Sequence, residues 1–312
     1  MAFINRTLSA GTGWRLALAT LSILLSTTSF SQKDKHDLSF RILPDTSYHF
    51  TLRVEMDQVI SDMPTTYLSQ AEGDISLAGI KDDVKTIRVN YGRHLLHIGM
   101  EGYSIHVDTD SLTQNEEDDP EMAANPMAIM QQIMEATYSV LPGSVMEFKL
   151  SPSAEVIEFT GTQQLVDAML EAMPAAIGQD TELRQKLETD YNDEKMKSSF
   201  ANSYDVFVNK PVEIGESWTS NRKLTVGANV QVQMTYTLKA VDGNRVTVAA
   251  VSSMKPGADA DETKMTGSHK GTIIFNKTTG EIYEQRLDME LEGEVNGMPF
   301  TATGVLTYKC LL

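Results

Sequence analysis

Asn229-Val230-Gln231-Val232-Gln233-Met234-Thr235-Tyr236-Thr237-Leu238, then Val241-Asp242-Gly243-Asn244, then Arg245-Val246-Thr247-Val248-Ala249-Ala250-Val251 is the stretch that decides the fold. Apolar and polar side chains alternate along both arms, the period of a half-buried strand. An Asp-Gly between two such arms is a strong short-range hairpin signal. Downstream, Thr272-Ile273-Ile274-Phe275 and Glu281-Ile282-Tyr283-Glu284-Gln285-Arg286-Leu287 flank a second turn at 276–280. Two more strands flank Asn296-Gly297-Met298-Pro299. The region from 203 to 312 is therefore expected to be a run of antiparallel strands.

The region from 32 to 112 has the same character. Tyr48 to Val54, Val84 to Val89 and Tyr103 to Val107 all alternate. Turn signals at Glu72-Gly73-Asp74, Lys81-Asp82-Asp83, Gly99 and Gly102 predict that it is cut into short strands.

Between these zones, 113–202 reads as helical around one hairpin. Met127, Met130, Met134 and Tyr138 recur on one helix face. Leu165, Met169 and Met173, with Val166 and Leu170, make a second stripe that Pro174 closes. Thr181 is expected to cap a third helix that turns Leu183, Leu187 and Tyr191 inward. The hairpin runs from Ser144 to Leu150, turns at Ser151-Pro152-Ser153, and returns from Glu155 to Phe159. Two stretches rich in acidic residues, 113–120 and 255–262, have the composition of solvated loops.

The chain opens on an export pattern. Arg6 and Arg15 precede the apolar run Leu16 to Leu25, and Ser29 and Ser31 stand at the i, i+2 spacing that a signal peptidase reads. That run is about ten residues, against the roughly 20 that cross a bilayer. Residues 1–31 are accordingly expected to be a cleaved signal peptide and 32–312 a single exported domain beginning at Gln32, periplasmic or secreted, without an integral membrane segment. The net charge of −17 would repel phosphate backbones and anionic lipid surfaces, so nucleic acid is not an expected partner. With one cysteine, Cys310, the chain has no intrachain disulfide; Cys310 reads as a small apolar residue at a strand end.

Candidate chemistry is sparse. His94 and His97 lie three apart in a strand pattern, which points them to opposite faces, and no zinc motif completes a site. Asp108 and Asp110 could attract calcium, but the glycine and the bidentate glutamate of an EF-hand are missing. Gly215-Glu216-Ser217-Trp218-Thr219 superficially matches a nucleophile elbow, yet no helix follows it. The structural reading is a tight entry into the last strand zone, with Trp218 as a buried anchor and Ser217 inert. No catalytic residue, metal site or cofactor is expected. Met127, Met130, Met134, Met169 and Met173 are the candidate ligand-binding residues, because methionine-rich surfaces repack around varied partners.

Several landmarks together resemble an uncharacterised exported bacterial family of about this length, a domain of unknown function. They are His106-Val107-Asp108-Thr109-Asp110-Ser111, Leu141-Pro142-Gly143, the hairpin blocks 148–151 and 156–161, and Lys270 to Gly280. The most specific is Pro211-Val212-Glu213-Ile214-Gly215-Glu216-Ser217-Trp218, matching P-V-x-x-G-[DE]-S-W. The resemblance implies an extracytoplasmic, non-catalytic protein and supplies no site.

The sequence thus predicts an α+β fold in which curved antiparallel sheets from both ends of the chain pack against a central Met-rich helical segment. The functional expectation is an extracytoplasmic binding or scaffold protein for an unknown apolar small molecule or a protein partner. The alternatives are a hydrolase with an unidentified acidic site and a structural envelope component.

Overall fold

The computed structural model describes residues 34–44, 46–112, 126–201, 204–224, 230–257, 263–295 and 297–311. The expected signal peptide, the acidic stretch 113–120 and residues 258–262 of the second acidic stretch lie outside the described residues. Lys35–Leu312 forms one compact unit.

Twelve antiparallel strands join in one sheet. Across it run β7 (Val156–Thr160), β6 (Val145–Leu150), β4 (Val84–Met100), β3 (Met63–Lys81), β2 (Ser47–Ile60), β14 (Met298–Leu311), β13 (Ile282–Val295), β12 (Thr263–Asn276), β11 (Arg245–Pro256), β10 (Val230–Asp242) and β9 (Ser217–Leu224). A further strand, β5 (Tyr103–Asp108), also pairs with β4. The sheet is open, with β7 and β9 at its ends. The two strand zones of the sequence meet where β2 pairs with β14, from Phe300 opposite Ile60 to Leu311 opposite His49. They build one sheet rather than two. A separate two-stranded sheet pairs β1 (Lys35–Leu38) with β8 (Val208–Glu213).

The deciding hairpin is present as β10 and β11, with Asp242 opposite Arg245. Its two central residues are Gly243 and Asn244, and Gly243 has φ 56°, so glycine takes the first position of a primed turn. Other hairpins turn without glycine. Ser61-Asp62 (φ 49° and 66°) and Asp82-Asp83 (φ 52° and 62°) hold left-handed pairs that short polar side chains tolerate.

The expectation of short strands in the first zone is corrected. Glu72-Gly73-Asp74 does not turn: β3 runs through it for 19 residues, with a bulge between Ala71 and Gly73. Glycine is there for proximity, because a Cβ on Gly73 would stand 2.5 Å from the Asn90 carbonyl oxygen and 2.9 Å from the Phe50 ring.

Five helices are described: α1 (Pro126–Ser139), α2 (Thr162–Ala172), α3 (Ala175–Gly178), α4 (Thr181–Asp190) and α5 (Asp193–Ala201). The expected Thr181 cap is also corrected. Asp180 caps α4, its Oδ1 accepting from the Glu182 and Leu183 amides at 2.7 and 3.1 Å. A carboxylate suits the positive end of a helix dipole.

Alternation gives the sheet one strongly apolar face. Phe50 of β2, Val89 of β4, Phe148 of β6, Tyr236 of β10, Val248 of β11 and Phe275 of β12 belong to a single buried cluster. Leu165 and Met169 of α2 join that cluster. Leu96 of β4 with Ile105 and Val107 of β5 forms a separate buried cluster, against which Met134 and Tyr138 of α1 pack. Helix α5 reaches both ends of the sheet. Its Phe200 ring lies 5.3 Å from Phe148 and 5.1 Å from Phe159 of β7, while Ser198 Oγ donates to the Lys223 carbonyl of β9 at 2.6 Å.

The block Pro211 to Trp218 works as the link from β8 to β9. Gly215 turns with φ 92°, and its amide donates to the Leu238 carbonyl at 2.8 Å. The Glu216 carboxylate accepts from the Glu213 amide and from Lys210 Nζ. Trp218 is buried, as expected of an anchor.

Candidate functional site

The apolar face of the sheet is not filled everywhere. A cavity of about 400 Å³ lies over it, within the usual range of ligand pockets, about 300–1,000 Å³. Its walls follow directly from strand alternation. Tyr48, Phe50 and Leu52 come from β2, Ile273 from β12, Leu287 from β13, and Leu306, Tyr308 and Cys310 from β14. β3, β4 and β10 add Ile75, Tyr91 and Met234, and further wall comes from the loop residues Phe40 and Ile42, from Phe200, Tyr204 and Val206, and from the turn Thr279 to Ile282. Gly280 lets that turn meet the 40–42 segment. It has φ 69°, and a Cβ on it would lie 2.3 Å from the Arg41 carbonyl oxygen.

At one end of the cavity two polar groups present atoms without partners. Glu281 is 5% exposed and Tyr48 4% exposed, and both line the space. Neither Glu281 Oε1 nor the Tyr48 hydroxyl has a hydrogen-bond partner. Burial pushes the Glu281 carboxyl above the usual carboxylate range, favouring its neutral form. Burial also raises the Tyr48 phenol; the Thr279 and Thr46 hydroxyls lie near enough to temper that shift, but neither meets hydrogen-bond geometry with it. Beside them, burial pushes the Cys310 thiol up to about 11, with Glu281 adding to the effect. A thiol so held is a poor nucleophile.

Farther along the strands stands a satisfied polar group. Arg222 Nε donates to Asp205, and its Nη2 donates to the Tyr236 hydroxyl. His269 lies close by, with Nδ1 buried and unpartnered, and burial pushes its pKa down to about 4. From Phe275, which pairs with Ile282 next to Glu281, to His269 is about 20 Å at roughly 3.3 Å per strand residue. The cavity wall therefore runs from one polar patch to another with apolar surface between.

The candidate methionines do not converge on this space. Met169 packs with Phe148 and Phe159 in the main cluster, Met173 with Val166, Leu170 and Ala136, and Met134 with Leu96. Met130 is 41% exposed. The side chain of Met127 lies outside the described residues. None of the four described methionines lines the cavity, whereas Met234 of β10 does. Helical periodicity marked residues that fill contacts between elements. The lining residues carry only the strand alternation, which gives a face but not a void.

The other chemistry-bearing motifs resolve as structure. Asp108 is gripped by Arg93, Nε to Oδ1 at 3.0 Å and Nη2 to Oδ2 at 2.6 Å, and these bonds hold its carboxyl below the usual range. Ser217 Oγ lies 2.9 Å from Thr237 Oγ1 as a cross-strand hydroxyl pair, with no base on it. The His94 ring stacks on Tyr138 at 4.4 Å, and His97 faces His106 across β4 and β5. Among the described residues no group of three or more His, Cys, Asp or Glu side chains gathers as a metal site would require.

Comparison with protein families agrees with the landmark motifs. Residues 82–282 match the model of the Family of unknown function (DUF6263), and the chain belongs to that family. No curated protein matches it. Among solved structures, a lipovitellin determined for its lipid–protein interactions aligns over 87% of this chain at 7% identity with a TM-score of 0.46. This chain covers 26% of that lipovitellin chain. An outer membrane channel from Pseudomonas putida F1 aligns over 90% of this chain and 100% of its own, at 7% identity and a TM-score of 0.23. The translocator domain of the autotransporter NalP from Neisseria meningitidis covers 95% of this chain and 97% of its own, at 6% identity and a TM-score of 0.21. Among the described residues no helix is long and apolar enough to cross a membrane.

Proposed function

We propose that this protein is an extracytoplasmic, non-catalytic binding protein that holds one apolar small molecule on the inner face of a curved antiparallel sheet. The observation that carries the reading is the cavity of about 400 Å³ walled mainly by aromatic and aliphatic side chains. A well-packed interior leaves few voids larger than a water molecule, so a space of this size calls for an occupant. Curvature is supported by α5 touching both β6–β7 and β9. In a flat sheet of this strand order those ends would stand some 50 Å apart at about 4.8 Å per strand. The Met-rich helices then act as packing for that sheet rather than as the ligand contact.

Export rests on the signal pattern in residues 1–31, and the acidic surface argues against nucleic acid as a partner. The hydrolase alternative lacks a paired acid and base, since Glu281 is the one carboxyl group lining the cavity among the described residues. Scaffold and envelope roles would leave the cavity without a use.

Titration of the folded protein with a fluorescent apolar probe tests the reading. Saturable binding of one probe per chain is expected. It should disappear in Ile75→Trp/Leu287→Trp, which places two indoles into the space from β3 and β13, while thermal unfolding confirms that the variant folds. A probe that ignores the native protein, or binds the filled variant equally well, would overturn it.

A further inference from the structure

Resting on that reading, we propose that Glu281 and Tyr48 form the head-group end of the cavity and select an elongated apolar molecule carrying an uncharged hydroxyl. Both side chains are more than nine-tenths buried, both line the space, and each presents an oxygen with no partner. An unpartnered buried polar atom costs about 1–3 kcal/mol, and two of them at one end of an apolar cavity mark a place where a ligand supplies the missing bonds.

The chemistry of the two groups narrows what fits. A phenol can donate and accept, and a carboxyl offers acceptor oxygens in either protonation state. One ligand hydroxyl meets both needs: its O–H donates to Glu281 Oε1, and its oxygen accepts from the Tyr48 hydroxyl. A ligand carboxylate would set two acids against each other. It would also lack a cation, because no basic side chain contributes to the perturbation of Glu281. A ligand ammonium would require an ionised Glu281, and burying both charges costs several kcal/mol per ion unless further hydrogen bonds surround them. The neutral head fits the site as it stands, because burial disfavours charge on the Glu281 carboxyl. The geometry also fixes the orientation. The head lies by the turn that Gly280 seats against Arg41, and the apolar body runs along β12 toward His269, over about 20 Å at roughly 3.3 Å per residue.

The test compares dodecanol, dodecanoate and dodecylammonium by competition with the apolar probe at neutral pH. The alcohol is expected to bind about tenfold or more tightly than either charged analogue. In Glu281→Leu, which removes the carboxyl but keeps an apolar wall, that preference should collapse and the three affinities converge. Glu281→Gln, which retains a donor and an acceptor, should keep it, and Tyr48→Phe should weaken the alcohol selectively. Equal affinities in the unmodified protein would overturn this head-group assignment while leaving the binding function standing. A preference for dodecylammonium that Glu281→Leu abolishes would replace the neutral head with a cation. If no probe or analogue binds, the proposed function falls with it.

Discussion

Two regions of the same apolar face are built differently. Toward β6 and β7 the face is filled. Phe148 and Phe159 lie ring against ring, Leu165 and Met169 of α2 join the same cluster, and Phe200 and Tyr204 pack against Phe148 from the border of the open region. Toward β2, β14 and β13 the face is lined by Tyr48, Leu306, Tyr308 and Leu287 but left open. Both regions obey the same strand alternation and share one hydrophobic cluster. What separates them is the cover. A helix with long flexible side chains fits down onto the first region, whereas loops and a turn roof the second and leave space beneath.

The sharpest way to break the comparison is truncation on the filled side. Met169→Ala removes a side chain that is 2% exposed, and a cost of about 2–5 kcal/mol is expected from lost packing and the cavity left behind. Urea unfolding should show this, with binding of the apolar probe to the folded fraction unchanged. A loss of binding at equal foldedness would return the methionines to the site.

Acid should act on the open region and on the contact between β4 and α1. His94, stacked on Tyr138, and His269, in the cavity wall, are each pushed down from 6.5 to about 4 by burial. The unfolded chain therefore takes up these protons first as the pH falls. Their effect on stability is absent above about pH 6.5 and grows into a loss as the pH falls toward about 4. Midpoint temperature should decline through that window, and His94→Gln and His269→Gln should each flatten the decline. A flat profile in the unmodified protein would contradict the burial of both rings.

Truncation on the open side should be cheaper. Leu306→Ala faces a space that already exists, so only the transfer contribution is lost and about 1–1.5 kcal/mol is expected in the same urea experiment. A cost equal to that of Met169→Ala would mean that the space collapses in solution. Cys310→Ala is the smallest change. The thiol is buried and held protonated, without a disulfide partner, so under about 1 kcal/mol is expected together with slow alkylation of the native thiol.

Much of this architecture is legible from periodicity. The β10–β11 hairpin, the existence of helices α1 and α2, the 145–160 hairpin and the burial of Trp218 all follow from side-chain spacing and turn chemistry, whereas Met130 of the expected α1 stripe is exposed. The Glu72-Gly73-Asp74 stretch misleads because glycine serves both turns and close backbone approach, and only the neighbouring Phe50 ring and Asn90 carbonyl tell the two apart. Pairing of β2 with β14 joins residues from opposite ends of the chain, which no local pattern encodes. The site was hidden for a related reason. Tyr48, Glu281 and Tyr308 are ordinary in sequence and become a set only when two separate strands and a turn bring them around one space.

Native mass spectrometry of the protein recovered from its host tests the cavity most directly. The expected spectrum shows one non-covalent adduct of small-molecule mass per chain in the unmodified protein, and the bare chain in Ile75→Trp/Leu287→Trp. The bare chain in both, or an adduct that survives the filled cavity, would contradict the assignment of this space as the binding site.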